Sequence, residues 1–237
     1  MRRPNATPVA ILVGLSISVL LAGFTFDRGV PPTQTFRGSR CGVASGSELW
    51  TLNATPDLPP SFANGSVQAF GVNSSDVVVG GVSFFSRDRT PYDSLPALGS
   101  FTPSSPGSRD LTNTTGRYFD EGGVFPVAWN GTAWLIAGQT TLDGQTFGAA
   151  IAVQGGKVTD LTPKVAPFFQ GQGIWIAGWD GNGWLLGGND TRGAVLVYLK
   201  GGTVTNLTPV LPNNSPGDWV QMVAWNGTAW LIGGERV

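Results

Sequence analysis

The 237-residue chain contains no histidine, a single cysteine (Cys41), two methionines and three tyrosines, and only 12% of it is charged. Without imidazole there is no Ser-His or Cys-His nucleophile pair and no Cys/His metal site. One cysteine closes no internal disulfide. A formal net charge of -1 leaves no basic footprint for DNA or RNA, so nucleic acid is not an expected partner. Neither a cofactor nor a metal is expected.

What the chain has in quantity is glycine (35), proline (17), tryptophan (9) and phenylalanine (13), which suits short strands joined by many turns and leaves little room for helix. One stretch organises the rest. VAWNGTAWLIGG at 223–234 recurs as VAWNGTAWLIAG at 127–138, as AGWDGNGWLLGG at 177–188 and, more worn, as FGVNSSDVVVGG at 70–81. Each copy is an apolar run, an Asn-Gly or Asp-Gly type turn, a second apolar run and a small pair ending in glycine, the pattern of a β-hairpin. A second motif follows each copy but the last: Asp110-Leu111-Thr112, Asp160-Leu161-Thr162-Pro163 and Asn206-Leu207-Thr208-Pro209. In the third unit the strands are expected at 174–179, 184–188, 194–199 and 204–207. The closing glycines Gly81, Gly138, Gly188 and Gly234 stand 57, 50 and 46 residues apart. Four strands at such a period predict the blade of a β-propeller.

After Gly234 only three residues remain, while 40–52 reads as an orphan strand pair ahead of the first full unit. Pairing of these N- and C-terminal strands would close a ring of four blades of four antiparallel strands and remove both sheet edges. Half of a larger ring completed by a second chain, and a sandwich or open array, are the alternatives. The repeats Trp184-Leu-Leu-Gly-Gly and Trp230-Leu-Ile-Gly-Gly, each followed by or ahead of a tight strand pair, resemble the kelch repeat of galactose-oxidase-like propellers from about residue 36 to 237. That resemblance implies an all-β propeller serving as a binding platform. The copper chemistry of one branch of that superfamily needs histidine, which is missing. Asp180-Gly181-Asn182-Gly183-Trp184 lacks the spacing of the aspartate box of sialidase-like propellers and reads as a hairpin turn.

The N-terminal part is different. Residues 9–26 are almost wholly apolar behind Arg2 and Arg3. As a helix they reach about 27 Å, close to the ~30 Å of a bilayer core. They are expected to form a transmembrane signal anchor, or a cleaved signal peptide, with 1–8 cytoplasmic, 27–35 a linker and 36–237 an extracellular domain on a single-pass cell-membrane protein. Asn-x-Ser/Thr sequons at Asn53, Asn64, Asn73, Asn113, Asn130, Asn189, Asn206, Asn213 and Asn226 agree with an outside location and are glycosylation candidates.

For function, the six tryptophans that flank the repeated turns are expected to pack sheet on sheet. Trp175 and Trp219 lie off that position and are better ligand candidates. In an up-and-down blade the connections from strand two to three, and from strand four to the next blade, share one rim. Most charges fall there, and the candidate ligand-binding residues are Arg89, Asp143, Trp175, Asp190, Arg192, Asp218, Trp219, Glu235 and Arg236. No catalytic residue is singled out. The expected role is a membrane-anchored extracellular binding or adhesion module for a glycan or protein partner. The alternative is a glycoside hydrolase or lyase using rim carboxylates.

Overall fold

The computed structural model describes residues 41–42, 48–49, 58–62, 65–84, 94–102 and 108–236. Two compact units divide the chain, Met1–Leu52 and Asn53–Val237. Of the first, the described part is a short hairpin of β1 (Cys41–Gly42) and β2 (Glu48–Leu49), with Cys41 opposite Leu49 and Gly42 opposite Glu48. Residues 9–26, expected to span a membrane, and 27–35, expected as a linker, lie outside the described residues, among which no helix is long and apolar enough to cross a membrane.

The second unit is all-β and propeller-like, a succession of up-and-down antiparallel sheets. β3 (Gly65–Val72), β4 (Val77–Phe84), β5 (Ser94–Phe101) and β6 (Ser108–Asp110) form the first. β7 (Gly123–Trp129), β8 (Trp134–Leu142), β9 (Gln145–Gln154) and β10 (Lys157–Asp160) form the next. β11 (Ile174–Trp179), β12 (Trp184–Asp190), β13 (Gly193–Lys200) and β14 (Thr203–Asn206) form the third, and β15 (Trp219–Trp225) pairs with β16 (Trp230–Glu235). Most of the 40–52 segment expected to pair with 229–233 lies outside the described residues, among which β1 pairs with β2 and β15 with β16.

Local chemistry accounts for the hairpins. Asn130 Oδ1 accepts the backbone N–H of Thr132 at 2.9 Å and of Ala133 at 2.7 Å, and Gly131 takes φ +96°. Asn226, Asp180 and Asn73 make the same pair of bonds in their turns. These are Asx-turns, which explains why each copy has Asn or Asp at that place. The closing glycine has a different cause. Every first strand is bulged opposite it, with the register shifting between Val67 and Ala69, Val124 and Val127, Ile174 and Ile176, and Val220 and Met222. The bulge drives a carbonyl against the partner strand, so a Cβ on Gly81, Gly138, Gly188 or Gly234 would collide with the carbonyl oxygen of Ser66, Gly123, Gly173 or Trp219 respectively.

Each sheet then packs on the next through the first strand of the later one: β7 against β3, β4 and β5, β11 against β7 and β8, β15 against β11, β12 and β13. Leu98, Val124, Ile136 and Phe119 are buried at the first junction, Leu135, Leu186, Val195 and Phe169 at the second, Leu185, Leu196 and Val220 at the third. Burying each such side chain contributes about 1.5–3 kcal/mol. The repeated tryptophans take the packing role expected of them. Trp129 and Trp134, Trp179 and Trp184, and Trp225 and Trp230 are tilted cross-strand pairs with centroids 4.9, 4.8 and 5.3 Å apart. The second ring of a pair also covers a small residue of the preceding sheet, Trp134 over Gly71 and Trp230 over Gly178.

The Asp/Asn-Leu-Thr motif fastens each sheet to the segment that leaves it. Asp160 Oδ1 accepts the N–H of Thr162 at 2.8 Å, Thr162 Oγ1 accepts the N–H of Ala150 in β9 at 3.2 Å, and the N–H of Leu161 donates to the Ala150 carbonyl at 2.9 Å. Asp110, Leu111 and Thr112 do the same on Leu98, and Asn206, Leu207 and Thr208 on Leu196. The outer strand is thus replaced after four residues or fewer by a clasp halfway along strand three. Short helical turns follow, α1 (Thr112–Thr115) and α2 (Thr162–Val165), and deliver the buried Phe119 and Phe169 to the junctions. Because the connectors begin well below the rim, Lys164 reaches the Gly202 carbonyl of the β13–β14 turn, at 2.6 Å, instead of joining the rim charges.

Candidate functional site

The bulge that requires the closing glycine also turns a side chain out of the first strand. In β7 that side chain is Phe125, in β11 Trp175, and in β3 and β15 Gln68 and Gln221. Phe125 and Trp175 lie with ring centroids 4.2 Å apart at 36°, and Trp175 meets Trp219, at the start of β15, edge-on at 5.9 Å and 87°. Three half-buried aromatics from three successive sheets therefore form one row.

Their polar edges are held. Trp175 Nε1 donates to Asn189 Oδ1 at 2.8 Å from the end of β12. Trp219 Nε1 donates to Glu235 Oε2 at 3.3 Å, and Gln221 Nε2 donates to the same oxygen at 3.1 Å. Both indoles are fixed in angle while part of each ring stays open to solvent. An aromatic row with oriented amides and one carboxylate is suited to stacking on the apolar face of a ring-shaped ligand and to bonding its hydroxyl groups.

The other expected site residues fall into three groups. Asp190 and Arg192 are paired: Oδ2 accepts Nη2 at 2.6 Å and Nε at 2.9 Å, while Oδ1 accepts the N–H of Arg192 at 2.7 Å and of Gly193 at 3.1 Å. The Asp190 side chain is 3% exposed and that of Arg192 79%, so the carboxylate organises the β12–β13 turn and only the guanidinium is on offer. Behind it a cleft of about 350 Å³ runs to the connector, lined by Arg192, Phe168, Asn206, Pro209 and Leu211. Asp218 is likewise buried, accepts the N–H of Ser215 at 2.9 Å on Oδ2, and has Arg236 Nε 3.8 Å away. Its Oδ1 is buried without a hydrogen-bond partner among the described residues. Asp143 stands alone at the exposed tip of the β8–β9 hairpin with φ +52°. Arg89 lies outside the described residues.

The structure thus brings Trp175, Trp219 and Glu235 together and puts Asp190 and Asp218 to structural use. Phe125, Asn189 and Gln221 join the site without having been expected there. The signal for Phe125 was its place one residue after Val124, matching Trp175 after Ile174, which becomes visible only when the copies are aligned through the bulge. Among the described residues no three His, Cys, Asp or Glu side chains are grouped so as to hold a metal ion.

No family model and no curated protein sequence matches the chain. The kelch-type resemblance therefore rests on the repeat residues alone. Among solved structures, the sialidase of Trypanosoma rangeli in complex with 2,3-difluorosialic acid (covalent intermediate) is similar at 11% identity and TM-score 0.41, over 60% of this chain and 27% of that one. The same organism's sialidase in complex with sialic acid gives 11% identity and TM-score 0.35, over 60% and 28%. The chain thus corresponds to little more than a quarter of the length of the sialidase it is similar to.

Proposed function

We propose that this protein is a glycan-binding module, held outside the cell on the N-terminal segment 9–26, and that the row Phe125–Trp175–Trp219 is its contact surface. The observation that carries the reading is that row: aromatics from three consecutive first strands, Phe125 and Trp175 at the bulge and Trp219 two residues ahead of it, with both indole N–H groups tied to Asn189 and Glu235. A protein packing for its own sake gains nothing from leaving such rings half open, whereas stacking on sugar uses the open face. Binding is favoured over hydrolysis because three of the four candidate rim carboxylates are committed, Asp190 to Arg192 and its turn, Asp218 to Ser215, Glu235 to Trp219 and Gln221, which leaves Asp143 by itself on an exposed hairpin tip. Hydrolysis by paired carboxylates would need two of them free across a gap. Apolar residues 9–26 behind Arg2 and Arg3 support the anchored location.

The test is a glycan array probed with the full chain in detergent, followed by calorimetry on the best ligand. Trp175→Ala should weaken binding about tenfold, the effect of losing one stacking contact of about 1.4 kcal/mol, and Trp175→Phe should restore part of it. Undiminished binding by Trp175→Ala, with the variant still folded by circular dichroism, would sink the assignment. Fractionation with membranes and an intact N-terminus would support the anchor.

A further inference from the structure

The sequons differ in what the fold does with them. In the turns at Asn73, Asn130 and Asn226 the carboxamide uses only its oxygen: Oδ1 takes two backbone N–H groups and, in the last two, also the hydroxyl of the residue two places on, Thr132 at 3.1 Å and Thr228 at 3.0 Å, while the Ser75 hydroxyl, 3.3 Å from Asn73 Oδ1, donates to Asp76 Oδ2 at 2.8 Å. Among the described residues no group bonds to Nδ2 of any of the three. The corresponding turn shows that the amide is not needed for folding. Asp180 makes the same two backbone bonds at 2.8 Å each and gives its second oxygen to the Tyr198 hydroxyl, also at 2.8 Å. Three of four turns thus present a nitrogen that the structure does not use.

Elsewhere the sequon atoms are taken. Thr115, the hydroxyl residue for Asn113, is buried and donates to the Leu111 carbonyl. Thr208, the hydroxyl residue for Asn206, bonds both backbone groups of Leu196. Asn189 holds Trp175, so a sugar on its nitrogen would enter the aromatic row.

We infer that Asn73, Asn130 and Asn226 are N-glycosylated, and that Asn113, Asn189 and Asn206 are not. The three lie in first-hairpin turns, at the end of the sheets opposite Trp175 and Trp219, because each first strand runs from the aromatic row to its turn. Attached sugars would cover that rim and leave the aromatic one clear. In the step, Nδ2 forms a bond to the anomeric carbon of an oligosaccharide carried on a lipid pyrophosphate, and the carbon–oxygen bond to the pyrophosphate breaks. Nδ2 loses a proton and the lipid pyrophosphate leaves with the bonding pair.

The test is peptide mass spectrometry on the full chain isolated from its native cells, with enzymatic deglycosylation in ¹⁸O water so that each occupied Asn becomes a labelled Asp. Label at Asn73, Asn130 and Asn226 and none at Asn189 is the expected result. No label at the three turns, or equal label at Asn113, Asn189 and Asn206, would overturn the inference. Asn130→Asp should remove one glycan mass and leave the protein folded by circular dichroism, because Asp180 already supports such a turn. The inference rests on the proposed location outside the cell, whereas loss of glycan binding by Trp175→Ala tests the other rim separately from the label.

Discussion

Tyr198 donates its phenolic hydrogen to Asp180 Oδ2 at 2.8 Å, joining β13 to the β11–β12 turn. For Asp180, partial burial acts to raise the pKa, but the N–H groups of Asn182 and Gly183 and the Tyr198 hydroxyl outweigh it and hold the carboxyl below its ordinary value. For Tyr198, burial and then the hydrogen bond to Asp180 push the phenol up. A carboxyl depressed in the folded state contributes stability that is complete above its unfolded pKa and is lost as pH falls through the folded one. The raised phenol contributes below its unfolded pKa and ceases to do so as pH rises through its folded one. Urea unfolding of wild type and Asp180→Asn across pH 2–6 should therefore show a steeper acid loss for wild type. Parallel curves would remove Asp180 from the account.

The clasp on strand three makes a sharper demand. Thr162 Oγ1 is the acceptor for the N–H of Ala150, a fully buried residue. Thr162→Val keeps the shape and leaves that N–H without a partner, at a cost of about 1–3 kcal/mol. Thr162→Ser keeps the acceptor and should lose well under half as much. Chemical denaturation of the two variants decides the point, and similar losses would mean that the threonine methyl, not its oxygen, is what matters.

Much of this architecture was legible before any coordinates. The first strand of the third unit, 174–179, lies where the repeat placed it, the second and third each extend by two residues in all where backbone pairing continues past the apolar run, and the fourth keeps its length but begins and ends one residue earlier. Trp175 and Trp219 stood out because they broke the period. The recurring Asp/Asn-Leu-Thr was visible as a motif but not as a clasp, since its partners, Leu98, Ala150 and Leu196, lie twelve or more residues away on another strand. Asp190 and Asp218 were expected among the ligand-binding charges of the rim, and both are buried. Their burial is imposed by neighbouring backbone, the turn into β13 for one and the Ser215–Asp218 turn for the other, which residue types alone do not reveal.

The closing glycine offers a test that separates packing from backbone conformation. Gly188→Ala places a methyl against the Gly173 carbonyl across the bulge. Overpacking of this kind costs about 1–3 kcal/mol. Gly138→Ala should behave alike, because the Gly123 carbonyl faces it in the same way. Thermal unfolding should show both variants clearly below wild type. A near-neutral result at both positions would mean that the bulge relaxes without cost and that the glycine has another reason.

At the β12–β13 turn, Asp190 and Arg192 look like one ion pair but are unequal partners. Removing the exposed guanidinium with Arg192→Ala ends a largely solvated interaction and should change stability by less than about 0.5 kcal/mol. Removing the buried carboxylate with Asp190→Ala also takes away the acceptor of two backbone N–H groups, one of them on buried Gly193, and should cost about 1–3 kcal/mol. Asp190→Asn, which keeps an oxygen for the turn, should fall between them. Equal losses for the two alanine variants in urea titrations would show that the salt bridge, and not the turn, is what Asp190 supplies. If the ordering holds, Arg192 is the residue to vary when the rim's charge is tested for ligand selectivity, because it can be changed without disturbing the end of β12 that carries Asn189 and orients Trp175.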